Sequence, residues 1–268
     1  MTGTRLVTAA AGVAVAALVA GCGTGSDGWA KGPTPSHSSA AVSASAAAAS
    51  QGAATAGDNG VAQLPAADIV QRASQALRDA HAVRAAGTVE ALGQTITLDL
   101  RLDTAGNCNG SLGLGGEGGF KLVKAGQQLW VKPDRVFWDA HGGAGIADLV
   151  GDRYLKTTVD DPDFGELGSL CDLGALADQL GSDTASLTTG AATTLRGLPA
   201  VPVSGSSDGE PGTLYVATAG APVPLRLEKS AGAVDFTDFG TPVPSATPGP
   251  NETVDLNELT PGSSPSTV

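Results

Sequence analysis

Three thiols and three imidazoles are the side chains of this sequence best suited to nucleophilic or metal chemistry. His37, His81 and His141 lie far apart, and no histidine stands near Cys108 or Cys171 at a spacing zinc ligation needs. Neither a Gly-x-Ser-x-Gly elbow nor a His-Glu-x-x-His helix is present. Gly113-Leu114-Gly115-Gly116-Glu117-Gly118 matches Gly-x-Gly-x-x-Gly, a pattern that cradles phosphate only where it opens a helix. Here Phe120-Lys121-Leu122-Val123 follows with strand character, so the glycines predict a hairpin turn. Asp160, Asp161, Asp163 and Glu166 crowd together, but EF-hand spacing is absent and Pro162 interrupts them, which predicts an acidic solvated loop. Trp130, Phe137 and Trp138 read as core or rim aromatics, and Asn251-Glu252-Thr253 fits a glycosylation sequon by pattern alone. No catalytic residue, metal site or cofactor is expected, and the chain does not read as an enzyme.

The remaining thiol, Cys22, carries a clearer signal. A single positive charge at Arg5 precedes an uncharged run from Leu6 to Val19, rich in Ala, Val and Leu, and Ala20-Gly21-Cys22 follows. A positive start, an apolar run and small residues at its end make an export signal. The run is shorter than the roughly 20 residues that span a bilayer. Small residues followed by cysteine resemble the lipobox of bacterial lipoproteins, in which the signal is cut before the cysteine and the thiol is acylated. Residues 1–21 are therefore expected to be a lipoprotein signal peptide, with Cys22 the lipidation site. Two or more acyl chains make stable anchoring where one is marginal. The expected location is the extracytoplasmic face of the cell membrane, held by lipid.

Bulk composition agrees with export. Of 268 residues, 16% are charged and 4% aromatic, and the formal charge is −12. Such a balance repels phosphate backbones, so nucleic acid is not an expected partner. With Cys22 given to lipid, Cys108 and Cys171 are an even pair in an oxidising compartment and read as a disulfide, with a two-cysteine metal site as the rival. Closing a loop of this length stabilises a fold by about 4 kcal/mol in the chain-entropy account.

The elements follow from periodicity. Residues 22–63 hold the lipid-bearing cysteine and a stretch of Ala, Ser, Gly and Thr too poor in apolar surface to order itself, which reads as a tether. From Pro65, Ile69, Val70, Ala73, Ala76, Leu77 and Ala80 recur at helical spacing. The period then drops to two. Thr95 to Asp103 alternates Ile96, Leu98, Leu100 and Leu102 against polar partners, the pattern of a strand with one wet face. Strands over Val83–Ala91, Cys108–Leu114, Phe120–Lys124 and Gln127–Lys132 complete a meander. Short helices are expected over Asp134–His141, Ile146–Val150 and Cys171–Leu180, with a strand at Tyr154–Thr158. Five more strands follow from Ala192 to Phe239, punctuated by glycine and proline. The fold class is α+β, a large curved antiparallel sheet with helices on one side. The folded domain is expected over 64–240 and a Pro-rich polar tail over 241–268, whose Val254, Leu256 and Leu259 are able to dock back.

Several of these stretches together resemble the LppX/LprA/LprF/LprG-type actinobacterial lipoproteins. They are the lipobox and tether, the helix Ala67 to Ala80 running into Thr88-Val89-Glu90, Gln128-Leu129-Trp130-Val131-Lys132, Gly151-Asp152-Arg153-Tyr154-Leu155, Arg196-Gly197-Leu198-Pro199-Ala200, and Thr213-Leu214-Tyr215-Val216 through Pro224-Leu225-Arg226 to Val234–Gly240. The resemblance implies a LolA-like lipid-carrier fold, a half-open β-barrel with helices against its concave face and an apolar cavity between. It implies a carrier of acylated lipid or glycolipid. The alternative is an envelope adaptor of the same fold that binds a protein or transporter partner and no lipid. What separates the two is spare apolar volume behind Ile96, Leu98, Leu100, Leu112, Phe120 and Leu122, the expected cavity wall. A cavity there tolerates a tryptophan at Leu98 or Leu100, and a full core does not.

Cys22→Ser is expected to release the protein into the medium or leave its signal uncut, and the parent's N-terminal peptide is expected to carry acyl mass. Membrane fractionation identical to the parent, with no acyl mass on the parent peptide, sinks the lipid anchor.

Overall fold

The computed structural model describes residues 57–256, except residues 92, 163, 183–185 and 208–209. The expected signal peptide, Cys22 and the tether up to residue 56 lie outside the described residues.

Pro65 precedes α1 (Ala66–Asp79), whose first turn carries Asp68 and whose last carries Arg78, each suited to the end of the helix dipole it occupies. Its stripe Ile69, Val70, Ala73 and Leu77 is buried as the helical spacing predicts. His81 takes a left-handed backbone (φ 61°) and turns the chain into the sheet.

The first meander follows: β1 (Ala82–Ala91), β2 (Gln94–Asp103), β3 (Cys108–Leu114), β4 (Gly119–Ala125) and β5 (Gln128–Pro133). Two short helices, α2 (Arg135–Ala140) and α3 (Ala144–Val150), lead to β6 (Tyr154–Thr158). Asp134 caps α2 by accepting from the Phe137 amide at 2.8 Å. Next come α4 (Gly165–Ser169) and α5 (Leu173–Ser182). The second half is β7 (Thr188–Thr189), β8 (Thr193–Leu195), β9 (Leu198–Ser207), β10 (Glu210–Ala217), β11 (Pro224–Lys229), β12 (Gly232–Thr237) and β13 (Thr253–Asp255).

Among the described residues these strands make one curved, unclosed sheet ordered β13-β6-β5-β4-β3-β2-β1-β12-β11-β10-β9-β7, with β8 also on β9. Pairing is antiparallel except where β13 joins β6. The join between the two meanders is β1 with β12, in register from Arg84 opposite Thr237 to Val89 opposite Gly232. Helices α1 and α5 cover one face. They are tied to each other by the Ser74 hydroxyl donating to the Ala177 carbonyl at 2.7 Å, by Gln71 donating to the Gly181 carbonyl and by an Arg78–Asp178 ion pair. Beneath them lie two cores. One gathers Leu77, Leu100, Leu102, Leu122, Leu129, Leu173 and Phe236; the other gathers Ile69, Val70, Ala73, Val201, Val203, Leu214 and Val216.

The structure departs from the sequence expectation at three places, and in the tail it shows the docking open to Val254 and Leu256. Packing begins ahead of Pro65. Asp58 bridges to Ala219, Asn59 donates its side-chain amide to the carbonyls of Ala217 and Gly220, and Val61 is buried. Asn59 binds a turn some 160 residues away, which no local period records. The acidic stretch contains α4; Asp160 and Glu166 are exposed, while the half-buried Asp161 accepts from the Thr157 hydroxyl (2.7 Å) and the Phe164 amide (3.0 Å). Asp163 lies outside the described residues. The chain beyond Thr241 is packed as far as residue 256: Val243 is buried, and β13 covers the edge strand β6 while Val254 and Leu256 pack against Trp138, Val150 and Leu155. An edge strand otherwise offers unpaired backbone groups to other chains. Leu259 lies outside the described residues. The strand β7 was not expected, because two exposed threonines show no alternation.

Cys108, the first residue of β3, is bonded to Cys171 in the turn between α4 and α5, with Cα atoms 5.4 Å apart and both residues buried. It is the covalent tie between the helical layer and the sheet. Replacing both cysteines by serine is expected to lower unfolding free energy by about 4 kcal/mol, read by denaturant titration. A loss below about 1 kcal/mol, under the usual range for a native disulfide, leaves the tie without a stabilising role.

Candidate functional site

The register brings the six expected cavity residues onto one face. Leu98 stands opposite Leu112, and Leu112 opposite Phe120; Leu100 and Leu122 flank Gly110 from either side. Leu100, Leu112, Phe120 and Leu122 are buried in the first core, at 4%, 8%, 9% and 0% exposure, and Leu98 packs on it partly buried. Ile96, nearer the start of β2, is half-buried and is not among the residues of that cluster. Other elements pack into the same core. Leu77 of α1, Leu173 and Ala177 of α5 and the Cys108–Cys171 bridge all belong to the same cluster.

Open apolar volume lies further along the same sheet, at the second meander. Val203, Leu214 and Leu227 stand in one cross-strand row, with Leu214 facing both of the others. Two residues along, the row on the same face is Gly205, Gly212 and Lys229. The two glycines stand in register; Leu187 packs directly over Gly205, and the Lys229 side chain lies beside Gly212. The groove here holds about 160 Å³. Val70 of α1 and Leu176 and Leu180 of α5 form its upper wall, and Leu187 closes one side. Its mouth is polar, with Gln179, Ser206, Glu210 and Lys229. Lys229 and Glu210 approach to 3.9 Å, and the Ser230 hydroxyl donates to Glu210 at 2.6 Å. Sequence reasoning passed over these residues. The signal was there: Gly205 and Gly212 interrupt strands at inward positions, and a glycine inside a strand marks close approach of a ligand or another segment.

The other singled-out residues have structural work. Gly115 to Gly118 turn β3 into β4, with the Leu114 amide donating to the Gly118 carbonyl at 2.7 Å. Phe137 sits edge-on to Phe120 and Trp138 and stacks on His141 at 4.2 Å. Trp138 is buried with Ala147, Val150 and Leu155. Trp130 is buried at a position alternating with the inward Leu129 and Val131. Among the described residues no group of His, Cys, Asp or Glu is placed to hold a metal, and no helix is long and apolar enough to cross a membrane.

No family model and no curated protein matches the chain. Among solved structures it is similar to the lipoprotein LppX of Mycobacterium tuberculosis, at 14% identity over 67% of this chain and 97% of that one, with a TM-score of 0.45. It is similar to an uncharacterised conserved protein of Thermus thermophilus, at 12% identity over 70% of this chain and 97% of that one, TM-score 0.36. A third is MucB in complex with periplasmic MucA, at 16% identity over 70% of this chain, TM-score 0.33; the match spans 58% of the MucB chain. At these scores the likeness carries no functional assignment.

Because Leu100 and Leu122 are buried in that core, a tryptophan at Leu100 is expected to strain the core by typically 1–3 kcal/mol and Leu122→Ala to cost about 2–5 kcal/mol. Both are read as loss of denaturation midpoint in delipidated protein. An unchanged midpoint for Leu100→Trp shows spare volume behind β2 after all.

Proposed function

We propose that this is a lipid-anchored extracytoplasmic protein that binds the acyl part of a lipid or glycolipid in the groove between α5 and strands β9, β10 and β11. The observation that carries the reading is the open groove itself, walled by Val70, Leu176, Leu180, Leu187, Leu214 and Leu227. An apolar chain entering there leaves water at roughly 25 cal/mol per Å². The polar mouth keeps a head group in solvent. Size sets the stoichiometry: about 160 Å³ falls below the 300–1,000 Å³ typical of drug-sized ligands. It is close to the roughly 150 Å³ engineered cavity that accepts benzene. The groove therefore suits the terminal segment of one chain, with the rest of the lipid outside.

The adaptor reading is favoured by a different observation, the core that buries Leu100, Leu112, Phe120 and Leu122. In that reading the same groove takes one apolar side chain from a protein partner. Extracytoplasmic location and the membrane partner rest on the Cys22 signal, and the chain needs neither cofactor nor catalytic residue for either role.

Native mass spectrometry of the protein isolated from membranes distinguishes them. Non-covalent adducts of lipid mass, lost on activation while the covalent anchor stays, are expected in the parent. Leu180→Trp, which fills the groove from α5, is expected to cut the adduct-bearing fraction by about tenfold, equivalent to about 1.4 kcal/mol, with the delipidated midpoint unchanged. Delipidated samples are compared because bound ligand raises apparent stability. A parent without adducts, or a Leu180→Trp protein that keeps them, removes the carrier reading.

A further inference from the structure

On the sheet face opposite the helices, cations are paired with carboxylates almost one for one. Arg84 donates to both oxygens of Asp99 (2.7 and 2.6 Å), Arg101 meets Asp238, Arg196 and Arg226 share Asp235, and Lys156 meets Asp255. Arg84 and Arg101 stand directly opposite each other, and each has a carboxylate partner; at one place among the described residues a cation has none. Lys121 of β4 and Lys132 of β5 stand directly opposite each other in the ladder, an arrangement in which like charges destabilise the pair. Lys132 is met by Asp152 at 2.7 Å. Lys121 makes no ion pair or hydrogen bond among the described residues.

These lysines wall an open trough of about 540 Å³, within the range of ligand sites. Ser111 continues the row from Lys121, and Thr97 stands opposite Gly113, which stands opposite Gly119. Gly119 is buried and a Cβ there would collide with the Leu112 carbonyl, so only Gly113 leaves part of the floor bare. At Gly113 this is not a backbone need: its φ is ordinary, and an added Cβ meets only the Thr97 Cβ at 3.8 Å. Three carboxylates also line the trough, and each is engaged. Asp99 is held by Arg84, Asp134 caps α2, and Asp152 is held by Lys132. The Lys132 hydrogen bond and charge, with a further contribution from Lys121, keep the exposed Asp152 carboxyl below its usual range. Local rules broken without structural compensation mark functional sites.

We infer that this trough is an anion site, separate from the apolar groove, in which Lys121 and Lys132 clamp a phosphate monoester while Thr97 and Ser111 supply hydroxyl hydrogen bonds. A dianion between the two ammonium groups removes their opposition and adds charge-assisted hydrogen bonds. Phosphate monoesters occur on free metabolites and on lipid head groups, and both carry the chemistry the trough recognises.

The test is thermal unfolding of the full protein in inorganic phosphate against chloride at equal ionic strength. Phosphate is expected to raise Tm above the chloride value, because a ligand that binds only the folded state stabilises it. Lys121→Gln is expected to raise Tm in chloride, by relieving the like-charge pair, and to lose the phosphate increment. Gly113→Val, which fills the floor without backbone strain, keeps its chloride Tm and loses the increment too. A lysine with only a structural role does not give this opposed pair of shifts. Glycerol 3-phosphate and a short-chain phosphatidic acid then separate the sources: equal increments point to a free phosphate, a larger one with the lipid to a head group. No increment in the parent, or the same increment in Lys121→Gln and parent, overturns the site.

Discussion

An open sheet with one apolar face must have that face covered, and in this protein everything else follows from how α1 and α5 do so. Neither layer stands alone. A helix of 14 residues such as α1 is marginal in water without packing, and a bare face carrying Leu100, Leu122, Leu129, Val203 and Leu214 invites association. Burying each such side chain contributes roughly 1.5–3 kcal/mol. α1 supplies Leu77 to one core and Ile69, Val70 and Ala73 to the other, so a single helix joins both meanders. The disulfide fixes the α4–α5 turn on β3 and sets where α5 crosses the sheet.

That crossing decides where the molecule is full and where it is open. Near its start α5 adds Leu173 and Ala177 to the core that holds Phe120, Leu122 and Leu129. Farther along, Leu176 and Leu180 face strands that carry Gly205 and Gly212. The groove lies between that helix and the sheet, with Leu187 packed over Gly205 at its side.

The opposite face follows a different economy. Its ion pairs are partly exposed, and each contributes little, in the range of about 0–1 kcal/mol. Their regularity matters more than their energy. In a chain of net charge −12, pairing each arginine across strands keeps the outer face balanced and the register unambiguous. Arg84 and Arg101 oppose each other there too, but each has its own carboxylate; Lys121, opposite Lys132, has none among the described residues.

Much of the architecture was legible in the residues. The alternation of Thr95 to Asp103 assigned β2 and its inner face, the stripe from Ile69 to Leu77 assigned α1, and the even cysteine pair assigned a bond that the structure contains. These are local signals, set by side-chain period or by redox chemistry. Asn59 on the Ala217–Gly220 turn and the choice of β6 as the partner of β13 were not legible, because each joins segments whose own patterns are silent about the partner. The candidate site divides in the same way. Ile96, Leu98, Leu100, Leu112, Phe120 and Leu122 were placed on one inner face by period alone, but period is identical for a packed core and a cavity wall. Only tertiary structure decided that Leu77, Leu173 and the disulfide join the same core as most of them, while open volume lies beside Leu180. The reason is physical: which face is buried is a property of one strand, whereas empty volume is a property of every element that surrounds it.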